Sequence, residues 1–159
     1  MPAAPELVTV GSLLDREFRA LEAFVQLLRR EQLLLTEGST DSLAALAEEK
    51  LQAATELADF SASRDSKLIH SGLQPGRAGM DAWTATPAGA GHKSQWHRLL
   101  ELTAEARALN DTNGKLISIR LHNNQQALSI LMAAADQAVT YGPDGQQRAP
   151  TSGRSLGSA

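Results

Sequence analysis

The segment "LVTVGSLLDREFRALEAFVQLLRREQLLL", residues 7–35, places a leucine at every seventh position. Phenylalanine and valine fill the alternate core positions of the same heptad. The seven positions are Leu7, Leu14, Phe18, Leu21, Val25, Leu28 and Leu35. This repeat is typical of a helix that packs along its length against other helices. It predicts a first helix at about 6–36, beginning after Pro5 and ending at Glu37-Gly38.

The composition extends the helical prediction to the whole chain. Of the 159 residues, 24 are leucine and 26 are alanine, whereas valine and isoleucine together number only 8. Leucine and alanine are strong helix formers, and the β-branched residues that favour strands are scarce. The sequence therefore predicts an all-α fold, either an antiparallel bundle or an extended coiled coil of about three long helices.

The positions of the prolines predict where the other helices lie, because proline is excluded from helix interiors. A second helix is expected at about 40–69, capped by Ser39 or Thr40. The short link from the first helix indicates an antiparallel hairpin. The apolar positions of the second helix are Leu43, Leu46, Leu51, Ala54, Leu57, Phe60 and Leu68. A third helix is expected at about 93–140.

Between the second and third helices, residues 71–92 contain five glycines and two prolines, which predicts a long loop. Trp83 is its only large anchor, and we interpret it as pinning the loop onto the hairpin, with a binding role as the alternative. Residues 1–146 are predicted to form a single helical domain. Residues 147–159 are low in hydrophobicity and are predicted to be a disordered tail.

Charge and composition argue against several classes of partner. A net charge of −3 gives no reason to expect nucleic acid or an anionic membrane. The leucine heptad lacks the basic region that a DNA-binding zipper requires directly before it. The longest apolar run, "ILMAAA", is far shorter than the ~20 residues of a membrane helix, so no stable membrane insertion is expected. The N-terminal "MPAAPELVTV" shows no secretory signal, and there is no cysteine.

The sequence shows no pattern of residues that would predict catalysis. The four histidines form no HExxH arrangement, and we find no phosphate-binding glycine loop or nucleophile elbow. The acidic residues, including the pair Glu48-Glu49, are expected on helix surfaces, with no desolvated carboxylate pair. We therefore predict no catalytic residue, no metal and no cofactor.

The third helix carries an apolar surface that is wider than one packing contact needs. On a helical wheel its apolar arc spans about 220°, against the ~100° stripe of a helix that packs on one side. The residues along this arc are Leu109, Ile117, Leu121, Ala127, Leu128, Leu131 and Met132, and Ile119 and Ile130 extend it to its full width.

A line of polar residues from the stretch "NDTNGKLISIRLHNN", residues 110–124, runs down the middle of that arc. It consists of Asn110, Asn113, Arg120 and Asn124. The line is either a buried network that fixes register, as single asparagines do in coiled coils, or a boundary between a packed strip and a strip open to a partner helix. Both interpretations assume a helix that continues through Gly114, weakened there by about 1 kcal/mol and free to kink.

The same region resembles the FlgN family of flagellar type III export chaperones. The resemblance rests on "LNDTNGKLISIRLHNNQQALSIL" at 109–131 and "YGPDGQ" at 141–146, with support from "EEKLQAATELADFSASRD" at 48–65. It implies a cytoplasmic chaperone and not an enzyme. It further implies that the chain binds the amphipathic C-terminal segments of the hook–filament junction proteins FlgK and FlgL and delivers these proteins to the export gate protein FlhA.

In this family the C-terminal helix and tail are linked to cargo and gate binding. Carried over to this chain, the resemblance implies partner-binding residues on the third helix and in the turn that follows it. These are Asn113, Ile117, Arg120, Leu121, Asn124, Leu128, Leu131, Met132 and Tyr141. The alternative is a structural coiled-coil protein without cargo, which self-associates through the leucine heptad.

Overall fold

A computed structural model describes residues 8–140, and all regular secondary structure in that range is helical. The elements in order are α1 (Val10–Glu37), α2 (Leu43–His70), α3 (Gly76–Thr84), a short 3-10 turn (Ala90–His92) and α4 (Lys93–Thr140). The predicted all-α class is confirmed, and α3 is an addition to the three long helices that were predicted. The predicted tail at 147–159 and the candidate residue Tyr141 lie outside the described residues.

Helix α1 begins later than predicted because a polar pair stops it at the N-terminus. The Ser12 amide donates to the Thr9 hydroxyl at 3.1 Å, and the Thr9 amide donates to the Ser12 hydroxyl at 2.9 Å. This reciprocal capping box satisfies backbone donors that have no partner inside the helix, so α1 starts at Val10 and not near Glu6. At the other end Gly38 adopts φ +84°, as the predicted C-terminal stop requires.

Helix α2 begins at Leu43, so neither Ser39 nor Thr40 caps it as predicted. The chain leaves Gly38 in a turn, in which the Leu43 amide donates to the Thr40 carbonyl at 3.2 Å. The residue before the helix is Ser42, whose side chain makes no capping hydrogen bond. A cap must directly precede the first helical turn, and the turn moves that point beyond both predicted residues.

The contacts between the helices give their relative directions. Glu17 pairs with Arg64, and Glu31 pairs with Lys50, so α1 and α2 run antiparallel. Arg29 pairs with Glu105, and the Asn113 amide group donates to the Leu28 carbonyl at 2.8 Å. Gly11, near the start of α1, lies so close to His92, just before α4, that a Cβ added to the glycine would be 2.6 Å from the His92 ring. The early parts of α1 and α4 are therefore neighbours, as are their later parts, so α1 and the first part of α4 run parallel.

The leucine heptad of α1 forms the centre of the hydrophobic core. Its members from Leu14 to Leu35 are buried except for Phe18, which is partly buried against the core; Leu7 lies outside the described residues. The apolar positions predicted for α2 behave differently. Leu46 and Leu68 are buried, but Leu51 is 70% exposed and Ala54 is exposed, because they lie on a side of α2 that α1 does not cover.

The segment predicted as a loop folds into α3 and docks on the core, so the loop prediction at 71–92 is wrong for its central part. Met80 is completely buried, and Trp83 packs against the core with its ring centroid 5.4 Å from that of His92. Asp65 accepts a hydrogen bond from the Gly76 amide at 2.9 Å at the start of α3. The apolar anchors and this cap provide stability that the glycine-rich composition does not reveal.

Candidate partner-binding surface on helix α4

One face of α4 packs on the core over the first half of the helix. Its residues recur at steps of three and four, the spacing of a single helix face. They are Trp96, Leu99, Leu102 and Ala106, which are buried, followed by Leu109, which is half-buried, and Asn113, which is completely buried. This face therefore contributes the third wall of the core.

Asn113, a candidate partner-binding residue, belongs to this packed face. Its side-chain amide donates to the Leu28 carbonyl and to the Glu31 carboxylate, both at 2.8 Å. Glu31 is also paired with Lys50 at 3.2 Å, so the network joins α4 to both other long helices. With 0% of its surface exposed, Asn113 is not accessible to a partner, and the interpretation as a register-fixing network applies to it.

The same face continues beyond Asn113, but it is no longer covered. Steps of three and four lead through Leu116 and Arg120, both half-buried, to Asn124, Ala127 and Leu131, which are exposed. Every residue from 121 to 139 is exposed. The second half of α4 thus repeats the spacing of a core-packing helix without burying it.

The remaining candidate residues lie along this uncovered part of α4. Leu121 and Leu128 are each 58% exposed, and Ile117, Leu131 and Met132 are also largely exposed. Arg120 and Asn124 lie among them, so the structure groups seven of the nine candidates on one helical segment. Contiguous exposed apolar surface is a general feature of interaction sites in proteins.

The predicted polar line does not form one continuous environment. Asn113 is buried, Arg120 is half-buried, and Asn110 and Asn124 are exposed. Of the four, Asn113 alone is built into the packed core. Helix α4 is continuous through Gly114, as both interpretations of the polar line assumed.

Buried charges next to this face were missed in the sequence, where all acidic residues were expected on helix surfaces. Glu17 and Glu31 are each 7% exposed, and the guanidinium of the buried Arg64 pairs with Glu17. Burial raises the pKa of the Glu17 carboxyl, an effect that the Arg64 charge partly opposes. Arg64 also lies 5.2 Å above the centre of the Trp96 ring, so this pair connects all three long helices.

Within residues 8–140 no three histidine, cysteine, aspartate or glutamate side chains gather where they could hold a metal ion. Nor does any helix in that range have the length and apolarity that crossing a bilayer requires.

Comparison with known proteins assigns a family to this sequence. Residues 8–149 match the family model described as FlgN protein. No curated protein and no solved structure matches the chain. The matched range includes the whole of α4 and the residues that follow it up to 149.

Proposed function

Because the chain belongs to the FlgN family of flagellar export chaperones, we propose that it binds the C-terminal amphipathic segments of the junction proteins FlgK and FlgL in the cytoplasm. By covering these segments it prevents their premature association. It then delivers its cargo to the export gate protein FlhA. The proposed activity is binding without chemistry, and it needs no ATP because the export apparatus drives release.

The observation that carries this proposal is the uncovered face of α4. From Ile117 to Met132 the helix presents the residue spacing of a core-packing face with its apolar side chains exposed. An amphipathic cargo helix that has lost its filament partners exposes an apolar face of its own. Pairing the two faces removes both from water, which stabilises the complex by about 25 cal/mol for each Å² of apolar surface buried.

Within this surface the side chains have separate roles in the proposal. Ile117, Leu121, Leu128 and Met132 cover the apolar face of the cargo, and Leu131 extends the same contact. Arg120 and Asn124 supply hydrogen bonds to polar groups at the edge of the cargo helix. We assign the contact with FlhA to the C-terminal part of the chain, including Tyr141.

The alternative of a self-associating coiled coil loses its main support. That interpretation used the leucine heptad of α1 as the contact between chains. Leu14, Leu21, Leu28 and Leu35 are all buried in the core of one chain, where they are not available to a second copy.

The test is a pulldown of FlgK and FlgL with the double variant Leu121→Asp plus Leu128→Asp. Two buried charges in the contact are expected to weaken binding by at least about 100-fold while circular dichroism shows unchanged helicity, because both positions are exposed in the free chain. The matched control is Leu33→Asp plus Ile69→Asp, whose positions are each 56% exposed and lie on α1 and α2. If the first variant remains helical and still binds both proteins, the surface is wrongly assigned.

A further inference from the structure

An open apolar groove lies between α1, α2 and the first part of α4, outside the surface proposed for cargo. Its volume is about 720 Å³. Leu21 and Phe24 of α1 and Leu57 of α2 form its floor, and side chains of α2 and α4 form its two walls. All of its lining residues precede Ile117, so the groove belongs entirely to the packed part of the chain.

The α2 wall of the groove has the residue spacing of a helix-packing seam. Ala47, Leu51, Ala54, Ala58 and Ser61 follow one another at steps of four and three. A separate seam of α2, at Lys50, Ala53, Leu57, Phe60 and Arg64, is half-buried or buried towards the core. Helix α2 therefore carries two seams, of which only one has a helix packed on it.

The opposite wall on α4 matches this seam in spacing. Thr103, Ala106 and Asn110 line it at steps of three and four, with the charged side chains of Arg107 and Asp111 beside them. The alanines at positions 54, 58 and 106 leave room for a further helix to approach the groove closely. The α2 seam from Ala47 to Ser61 is about 21 Å long, which matches a helix of about four turns.

The charges at the groove specify the chemistry of its occupant. Glu17 and Glu31 line the floor, but Arg64 and Lys50 neutralise them within the chain. On the α4 wall one positive and one negative side chain, Arg107 and Asp111, balance each other in charge. The outer edge of α2 carries three further carboxylates, which form no ion pair within residues 8–140. They are Glu48, Glu56 and Asp59, which lie on the outer side of α2 in a second shallow pocket that shares Leu51 with the groove. The floor therefore accepts an apolar face, and this edge attracts positive charge.

We propose that the groove binds an amphipathic helix of another protein, about four turns long, with small apolar residues facing inward and lysine or arginine along the edge next to α2. A second copy of this chain fits less well. Its exposed apolar segment, residues 118–139, contains one arginine and no lysine, and so cannot complement three carboxylates. The inference stands apart from the proposed cargo surface, and either can fail without the other.

The test uses two synthetic helical peptides of about five turns, long enough to span the groove. Both have the same alanine–leucine seam, and they differ only in carrying lysine or glutamate along one edge. At low ionic strength the full-length protein is expected to bind the lysine peptide at least about tenfold more tightly, measured by fluorescence anisotropy. Equal affinity for the two peptides, or no binding of either, would overturn the proposal.

Variants locate the binding site and its charge. Ala54→Trp fills the groove and is expected to lower the affinity for the lysine peptide at least about tenfold, since no room remains for the peptide helix. Ala108→Trp, at an exposed position of α4 that does not line the groove, leaves binding unchanged. Equal effects of the two tryptophans would place the peptide elsewhere.

Charge reversal at the edge is the second arm of the test. Glu56→Lys plus Asp59→Lys is expected to reverse the preference in favour of the glutamate peptide, because it reverses the sign of the charge beside the groove. Glu22→Lys plus Glu37→Lys makes the same change in net charge at exposed positions outside the groove and is expected to retain the preference. If both pairs act alike, net charge and not the groove explains the binding.

Two further results would identify a different occupant. A dimer in light scattering that Ala54→Trp abolishes would assign the groove to a second copy of the chain. A cross-link from position 54 to residues 141–159 of the same molecule would assign it to the chain's own C-terminus. The variant Leu121→Asp plus Leu128→Asp is expected to bind the lysine peptide normally, which separates this inference from the proposed function.

Discussion

At the scale of single residues, the charged side chains inside the packed helices had no visible signal in the sequence. Glu17 and Glu31 each lie three positions after a core leucine, at Leu14 and Leu28. Such positions are exposed when a helix packs through one seam. Helix α1 contacts both α2 and α4, so residues beside its main seam are covered too. Whether the residues beside the main seam of α1 are covered depends on where the other helices pack. A heptad pattern in α1 alone does not contain that information.

The pair Glu17–Arg64 makes a prediction at this scale. Replacing one partner leaves a buried charge without compensation, so Arg64→Met is expected to destabilise the fold by about 3–5 kcal/mol at neutral pH. Replacing both, with Glu17→Leu plus Arg64→Met, removes both charges and is expected to restore stability to within about 1 kcal/mol of the natural chain. Urea unfolding of the three proteins measures this. A double variant as unstable as the single one would show that the pair itself stabilises the fold.

The pH dependence of the Arg64→Met variant follows from the same carboxyl. Burial raises the pKa of Glu17, so the folded chain binds this proton more tightly than the unfolded chain. The stability that results is complete below the ordinary pKa range of glutamate and declines as pH rises through the raised pKa. Arg64→Met removes the positive charge that opposes the rise in the pKa of Glu17. The single variant is therefore expected to become less stable relative to the double variant as the pH rises from 5 to 8. A constant difference would contradict this origin.

At the scale of elements, the long helices were predictable and the short one was not. The heptad, the proline positions and the glycine stop are local signals that agree with one another, and they placed α1, α2 and α4 to within a few residues. Helix α3 lies in a segment where composition favours a loop, and it is held by contacts with residues distant in sequence, such as Leu68 beside Gly79.

Two glycines, one in α3 and one in α4, give a matched prediction for these elements. A Cβ on Gly114 would meet no atom within 4 Å, so Gly114→Ala is expected to stabilise the protein by about 0.5–1 kcal/mol through helix propensity alone. A Cβ on Gly79 would lie 1.6 Å from the Gln74 carbonyl oxygen, so the same change there is expected to destabilise it. Thermal unfolding compares the two variants. If bending at Gly114 is required for binding, Gly114→Ala lowers cargo affinity while it raises stability.

At the scale of the whole molecule, the sequence indicated an apolar surface on α4 but not which part of that surface is packed and which part is exposed. A helical wheel treats a helix as uniform along its axis. Here one face is packed up to Asn113 and exposed from Asn124, although the spacing of its residues does not change. The helical wheel placed the apolar residues from Ile117 to Met132 on one arc, and the family resemblance singled out the candidates among them. The burial of Asn113 depends on where α1 lies, which neither source reports. The groove was also invisible, because its α2 seam consists mostly of alanine.

The two halves of α4 are expected to differ in local stability. Opening the helix near Leu99 or Ala106 exposes buried apolar surface, whereas between residues 121 and 139 every side chain is already exposed in the folded helix. Amide hydrogen exchange followed by mass spectrometry should therefore be at least about 100-fold slower at 96–113 than at 121–139 in the free protein. Binding of cargo to the proposed surface is expected to slow exchange at 117–132 and to leave 96–113 unchanged. Equal protection of both halves in the free protein would mean that the second half is already covered, and it would remove the free surface on which the chaperone proposal depends.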